Sequence, residues 1–404
     1  SSRAARMLKR AMMAGLNAAG VNVLDLEVAS VPVTRFLARR PEQAGGFTIR
    51  LVEGDPQSCV IRFFDTRGTD VSEDEQRKIE RLFLREDFRR VFPAEIGDIG
   101  FPPRALEQYT AALEATVDIE AIREARFKVV VDYAYGSSAF VMPNVLSKLG
   151  ADVLGVNPYA STAGVLDFDP EANAEHVAAL VTASGAHLGA VLDPDGEHLT
   201  LIDDTGHILT PEQSLLAILT LVSGHLVGDT VAVPVTVTSH AETIASQHGV
   251  RVRRTKLATS ALMDAASEPG VGFSGSTDGG FILPGFLPAF DAAANLVKVL
   301  ELLARAGERL SSIVSHLPRV HMARETVVTP WEQKGMIMRS LVEMSKDREV
   351  QLIDGVKVRH DDGWVLALPD PEEPVMHVWA EAGTDAEAKA LAKEYARRIR
   401  QLLR

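Results

Sequence analysis

Apolar residues recur every three or four positions at the start of the chain. Met7, Leu8, Met12 and Leu16 lie within SSRAARMLKRAMMAGLNAAG, with Ser1 or Ser2 placed to cap the front and Gly20 to close the end. That spacing predicts an amphipathic helix. VNVLDLEVAS then reads as a strand, GGFTIRL and CVIRFFDTRG as two more, and SEDEQRKIERLFLR as a charged helix. EIGDIGFPPRA, near residues 95–105, is rich in Gly and Pro and has no periodicity, so it predicts a linker before a helix over Ala105–Glu114.

The next stretches repeat this kind of plan. FKVVVDYAYGSSAFVMPNVLSKLGADVLGVN gives an apolar run, a Gly-containing turn, a helix closed by Gly150 and a second apolar run. That is a βαβ pattern, which implies parallel strands with a right-handed crossover. A helix in ANAEHVAALVTASG, a hairpin in LGAVLDPDGEHLTLIDDTGHIL and a helix in PEQSLLAILTLVSG follow. DTVAVPVTVTSHAETIASQHGVRVRRTK reads strand, helix, strand, with Ser239 and Glu242 spaced as a capping box. From Arg324 the order changes to a helix in WEQKGMIMRSLVEMSK, strands in QLIDGVKVRHDDGWVLAL and MHVWAEA, and a terminal helix. The expected class is therefore α/β, with three similar mixed α/β domains at 1–104, 105–226 and 227–323 and a smaller α+β domain at 324–404.

Composition narrows the partners. A chain of 404 residues can hold several cores, and its net charge of −13 argues against nucleic acid, which requires a basic face. The basic residues near the start alternate with apolar ones, unlike a signal peptide. The single cysteine, Cys59, and the absence of an apolar run of ~18 residues predict a cytoplasmic protein away from membranes. A homo-oligomer stays open.

Three carboxylates, Asp193, Asp195 and Glu197, alternate around Pro194 and Gly196. Pro-Asp-Gly between apolar runs is a turn signal, and the same oxygens on one short loop suit a hard cation such as Mg²⁺. Gly270, Gly272 and Gly275 match G-x-G-x-x-G, but a helix-like ALMDAASEP precedes them where a dinucleotide fingerprint needs a strand. His240, His316 and His321 are catalytic candidates by type only, and no triad or zinc spacing appears.

The order of VVVDYAYGSS, LGAVLDPDGEHLTLIDDTGHILT, VRRTKLATSALMDA and DGVKVRHDDGWVLAL resembles the α-D-phosphohexomutase superfamily, the phosphomannomutases and phosphoglucomutases, over nearly the whole chain. The resemblance implies four domains around a central cleft whose site is built from four loops. In the first, a TASHNP-like segment carries a phosphoserine; here LVEGDP places Glu53 at that position, with Ser58 five residues on. In the second, D-G-D-G-D-R holds the metal; here Asp193, Asp195 and Glu197 keep the carboxylates and His198 replaces the arginine. In the third, G-E-x-S-G-H grips the sugar; Ser276, Asp278 and Gly279 stand there without the glutamate and histidine. In the fourth, R-P-S-G-T-E-P clamps phosphate; Leu368, Asp370, Glu372 and Glu373 occupy it, with no arginine.

These departures imply a mutase-like domain without mutase activity, with Mg²⁺ as its candidate metal. They resemble the carboxy-terminal region of bacterial mannose-1-phosphate guanylyltransferase fusion proteins. A family member would begin with a strand that is missing before this chain's first helix, so an attached upstream nucleotidyltransferase module is expected. A sugar or sugar-nucleotide ligand and a regulatory or assembly role go with that expectation. The alternative is an active phosphohexomutase that interconverts hexose 1- and 6-phosphates by an altered mechanism.

Overall fold

The computed structural model describes residues 2–403 apart from Glu53, Gly54, Val227 and the side chain of Pro56. The chain starts with the helix Arg3–Ala18, which Ser2 caps by accepting from Ala5 N at 3.0 Å. The expected strand after it is confined to Val23–Leu24, paired in parallel with Ile99–Gly100 inside the segment expected to be a linker. Asp25 ends it by accepting from both Glu27 N and Lys9, and Glu27 takes a left-handed φ of 58°. A helix that the apolar pattern does not announce, Val31–Ala38, follows with proline in its first turn, and then comes the antiparallel hairpin of Gly46–Val52 and Asp55–Phe64.

Two four-stranded sheets share one topology. In one, Asp152–Val156, Lys128–Asp132 and Leu188–Leu192 run parallel, with Leu199–Ile202 antiparallel at the edge. In the other, Arg251–Thr255, Thr230–Pro234 and Val271–Gly275 run parallel, with Phe281–Ile282 antiparallel. Each therefore carries a hairpin at the same edge, although the two sequences show no repeat. Parallel strands are covered on both faces, which explains the near-continuous apolar runs Val129–Val131 and Val231–Val233. One core runs through these units and includes Tyr109, Val131, Leu216, Phe273 and Leu300. The nearly buried helix Ala292–Ala306 crosses it, capped by Asp291.

The terminal unit has its own core around Val365, Ala380, Tyr395 and Ile399. Its five strands are antiparallel, in the order Met322–Val328, Val375–Glu381, Gly363–Pro369, Val356–His360, Val350–Gln351. Buried side chains fasten it to the preceding sheet. Glu381 accepts from Thr238 Oγ1 at 2.6 Å, from Ser239 N at 2.9 Å and from Trp364 Nε1, while Lys357 Nζ donates to Val235 O at 2.8 Å. The capping box expected at Ser239 and Glu242 does not form. Ser239 is itself helical in φ and ψ, its polar groups go to Glu381, and Glu242 pairs with Arg254.

Candidate functional site

The Leu188–Leu192 and Leu199–Ile202 strands form a hairpin, and the turn between them carries Asp193, Asp195, Glu197 and His198. Gly196 has a φ of +78°, and a Cβ there would sit 2.6 Å from Ser138 Oγ, so glycine is required for both conformation and space. The turn also caps two helices from other parts of the chain. Asp195 O accepts from Val31 N at 3.1 Å and Gly196 O from Ala292 N at 2.9 Å. Both are first helical residues, whose N–H groups have no partner within their own helix.

Every carboxylate of this turn has a protein cation of its own. Glu197, 1% exposed, takes Nε and Nη2 of the fully buried Arg35 on one oxygen at 3.1 and 3.0 Å, and Arg62 on the other. Arg35 also donates to Gly68 O at 3.1 Å and Asp70 at 2.8 Å, and its guanidinium lies 4.1 Å above the Phe64 ring. Arg62 contacts Asp70 as well, at 3.6 Å; burial disfavours its charge, but Glu197 and Asp70 more than offset this and hold its pKa above the usual arginine range. Arg50 Nε lies 2.8 Å from Asp195 Oδ2 as an ion contact without an aligned hydrogen bond. Burial and the neighbouring Asp193 raise the Asp195 pKa to about 7.

Asp193 accepts from Glu197 N at 2.7 Å and meets His198 Nδ1 at 2.8 Å. Burial works against the imidazolium, yet Asp193 and Asp278 raise the His198 pKa to about 9; His198 in turn holds the Asp193 pKa low against the cost of burial. Asp70, Asp193 and Glu197 thus face Arg35, Arg62 and His198, while Asp195, whose charge burial and Asp193 disfavour, meets Arg50. A Mg²⁺ ion takes an octahedron of oxygens, several of them water, and needs one or two carboxylates with oxygens free to reach it. Among the described residues no group of three or more acidic, His or Cys side chains is arranged to hold a metal, and each carboxylate of this turn already meets a protein cation.

The third loop lies against the second. Leu199 N donates to Gly279 O at 3.0 Å, His198 bridges to Gly280, and His198 Nε2 is 3.9 Å from Asp278. Ser276 Oγ donates to Asp278, and Asp278 also accepts from Gly280 N at 2.9 Å, so the polar groups of this turn are spent on one another. The G-x-G-x-x-G match falls in and just before the strand Val271–Gly275, which does not form a phosphate-cradling turn ahead of a helix.

In the fourth loop Leu368 is buried against Val235, Trp364 and Leu366. Asp370 folds back to accept from Glu372 N and Glu373 N, both at 2.8 Å, and meets His377 at 3.0 Å. These contacts pull its pKa down to about 2. Lys334 Nζ holds the carbonyls of Asp370 and Glu373 from behind. The backbone N–H groups that could receive an external anion already hold an internal one.

The second loop meets the third and the arginines of the first unit, whereas the polar contacts found for the fourth loop stay within its own unit. Glu53 lies outside the described residues. His240, His316 and His321 bond to Arg319 O, Ser312 O and Asp385, respectively. Sequence reading missed Arg35, Arg50 and Arg62. The available signal was the alternation of Thr48 with Arg50 and Val60 with Arg62 on paired strands, which puts both arginines on one sheet face.

Successive α/β units with matching edge hairpins, followed by an antiparallel terminal unit, define a phosphohexomutase-like protein. The chain belongs to the α-D-phosphohexomutase superfamily. It matches the phosphoglucomutase/phosphomannomutase α/β/α domain I over residues 2–90, domain II over 107–206 and domain III over 211–320. It is 26% identical to a phosphoglucomutase/phosphomannomutase of Thermococcus kodakarensis, over 95% of this chain and 84% of that protein. It is 27% identical to a probable phosphoglucosamine mutase of Methanopyrus kandleri, over 98% of this chain and 87% of that protein. Its fold matches a phosphoglucomutase/phosphomannomutase family protein from Burkholderia thailandensis with a TM-score of 0.83 and 21% identity, covering 98% of this chain and 86% of that one.

Proposed function

We propose that this phosphohexomutase-like domain does not turn over hexose phosphates, and that it serves as a regulatory or assembly domain of a sugar-nucleotide enzyme with a mannose-1-phosphate guanylyltransferase module. The observation that carries the first part is the pairing of Asp193, Asp195 and Glu197 with His198, Arg50, Arg35 and Arg62. A loop that should present negative charge to a metal is neutralised internally, and the phosphate-type loop is filled by Asp370. Glu53 at the carrier position agrees with this, because a carboxylate cannot form the stable phosphate ester of a serine. The second part rests on the resemblance of these altered loops to the fusion proteins.

The deciding assay supplies Mg²⁺, a hexose 1,6-bisphosphate and mannose or glucose 1-phosphate. No 6-phosphate should form above a protein-free control. Turnover that Asp193→Asn abolishes would establish the alternative, an active mutase with an altered mechanism. The regulatory part is tested in a protein that joins a mannose-1-phosphate guanylyltransferase module to residues 1–404, by measuring guanylyltransferase activity with and without those residues; unchanged activity, assembly and ligand response would remove it.

A further inference from the structure

A cleft of about 980 Å³ opens where the first three units meet. Its walls include Arg39 and Arg67 of the first unit, Thr116 near the start of the second, and Gly285, Lys298 and Arg305 of the third. No residue of the 193–198 turn, of the turn around Asp278 or of the Asp370 loop lines it. Two helices set this separation. The first N–H groups of Val31–Ala38 and Ala292–Ala306 go to Asp195 O and Gly196 O, whereas the cleft takes Arg39, just past the end of one helix, and Arg305, in the last turn of the other. At about 1.5 Å per residue, Arg305 lies about 20 Å along its helix from Ala292.

The floor is apolar, formed by Val222, Leu226, Leu283, Phe286 and Leu302, of which Leu226 and Leu283 are only partly buried. Most of the charges around it are already matched. Arg67 meets Asp65 at 2.7 Å and Asp264 at 3.1 Å, Lys298 and Arg305 share the buried Glu301, and Glu268 is held by Arg253. Arg39 is the exception. Its Nη1 donates to Phe286 O, which fixes the guanidinium beside the floor, and among the described residues it meets no carboxylate. A concave, largely apolar space at a domain junction with one convergent polar group has the form of a small-molecule site.

The geometry points to a second ligand site, at Arg39, for a small organic anion with an apolar body and a single carboxylate or phosphate-monoester head. The open guanidinium fork receives one oxyanion through charge-assisted hydrogen bonds, and the body covers Leu226 and Leu283 and removes their surface from water. The apolar floor gives a bare, hydrated anion nothing to replace its water. This site is independent of whether the hairpin turn or the Asp370 loop is active.

Calorimetric titration of the full chain with octanoate and with octyl phosphate should show one site per chain, with a Kd below about 1 mM for at least one of them, the tighter of the two naming the head group. Inorganic phosphate should not compete. Arg39→Gln, at an exposed position, should weaken the tighter ligand by about tenfold or more and leave the affinity for 1-octanol unchanged. Gly285→Trp should block the anions and the alcohol alike without lowering the thermal melt, because a Cβ at Gly285 meets nothing within 4 Å. Failure of both anions to bind, binding that persists in Arg39→Gln or Gly285→Trp, or inorganic phosphate that competes as well as octyl phosphate would overturn the assignment. None of these results bears on mutase turnover.

Discussion

Arg35 and Glu197, separated by 162 positions in the chain, meet as a fully buried pair in which two guanidinium nitrogens share one carboxylate oxygen. Removing one member leaves the other buried charge with a single, partly exposed partner, Arg62 for Glu197 or Asp70 for Arg35. Arg35→Met or Glu197→Leu alone should therefore cost about 3–5 kcal/mol in urea unfolding, whereas the double change should cost much less than the sum of the two.

Magnesium should leave this protein indifferent. Melting temperatures in EDTA and in millimolar Mg²⁺ should agree within about 1 °C, because a ligand stabilises only by binding the folded state and the carboxylates are already engaged. The variant with Arg50→Ala and Arg62→Ala uncovers Asp195 and one oxygen of Glu197, and it should acquire a Mg²⁺-dependent rise in melting temperature.

His198 should titrate near pH 9 when its imidazole is followed by NMR, and Asp193→Asn should lower that value markedly. The linkage has a definite sign. The folded pKa exceeds the unfolded value of 6.5, so this group's contribution to stability is complete below pH 6.5 and disappears as the pH rises through about 9. The difference in unfolding free energy between wild type and His198→Phe should shrink over that window.

Wild-type protein should show no calorimetric signal with mannose 6-phosphate at low salt. Asp370→Ser combined with Glu372→Gly and Glu373→Thr frees two N–H groups and removes the repelling carboxylates, and should produce measurable binding. Adding Leu368→Arg should instead destabilise the protein by about 2–4 kcal/mol, because position 368 points into an apolar cluster with Val235 and Trp364. Binding by the wild type as tight as by the triple variant would refute the filled-loop argument.

The hairpin around Asp193 was legible because Pro194 and Gly196 encode a turn locally, and the parallel sheets were legible from their doubly buried runs. Arg35 was not, because the helix that carries it is short, opens with Val31, Pro32 and Val33, and follows an apolar stretch that reads as a strand. Its partner is named only by the tertiary fold. The Asp370 turn was similarly opaque: three acidic residues suggest repulsion, but only the folded loop turns one of them inward onto the backbone.

The hairpin turn at residues 193–198 has a further effect, through its peptide groups. Asp195 O and Gly196 O receive the opening N–H groups of helices in the first and third units, and Leu199 N, just beyond the turn, reaches Gly279. No one of these three layers can loosen at this junction without exposing backbone groups that belong to another. The two peptide planes that flank Gly196 thereby tie the three units together, and their melting should be cooperative.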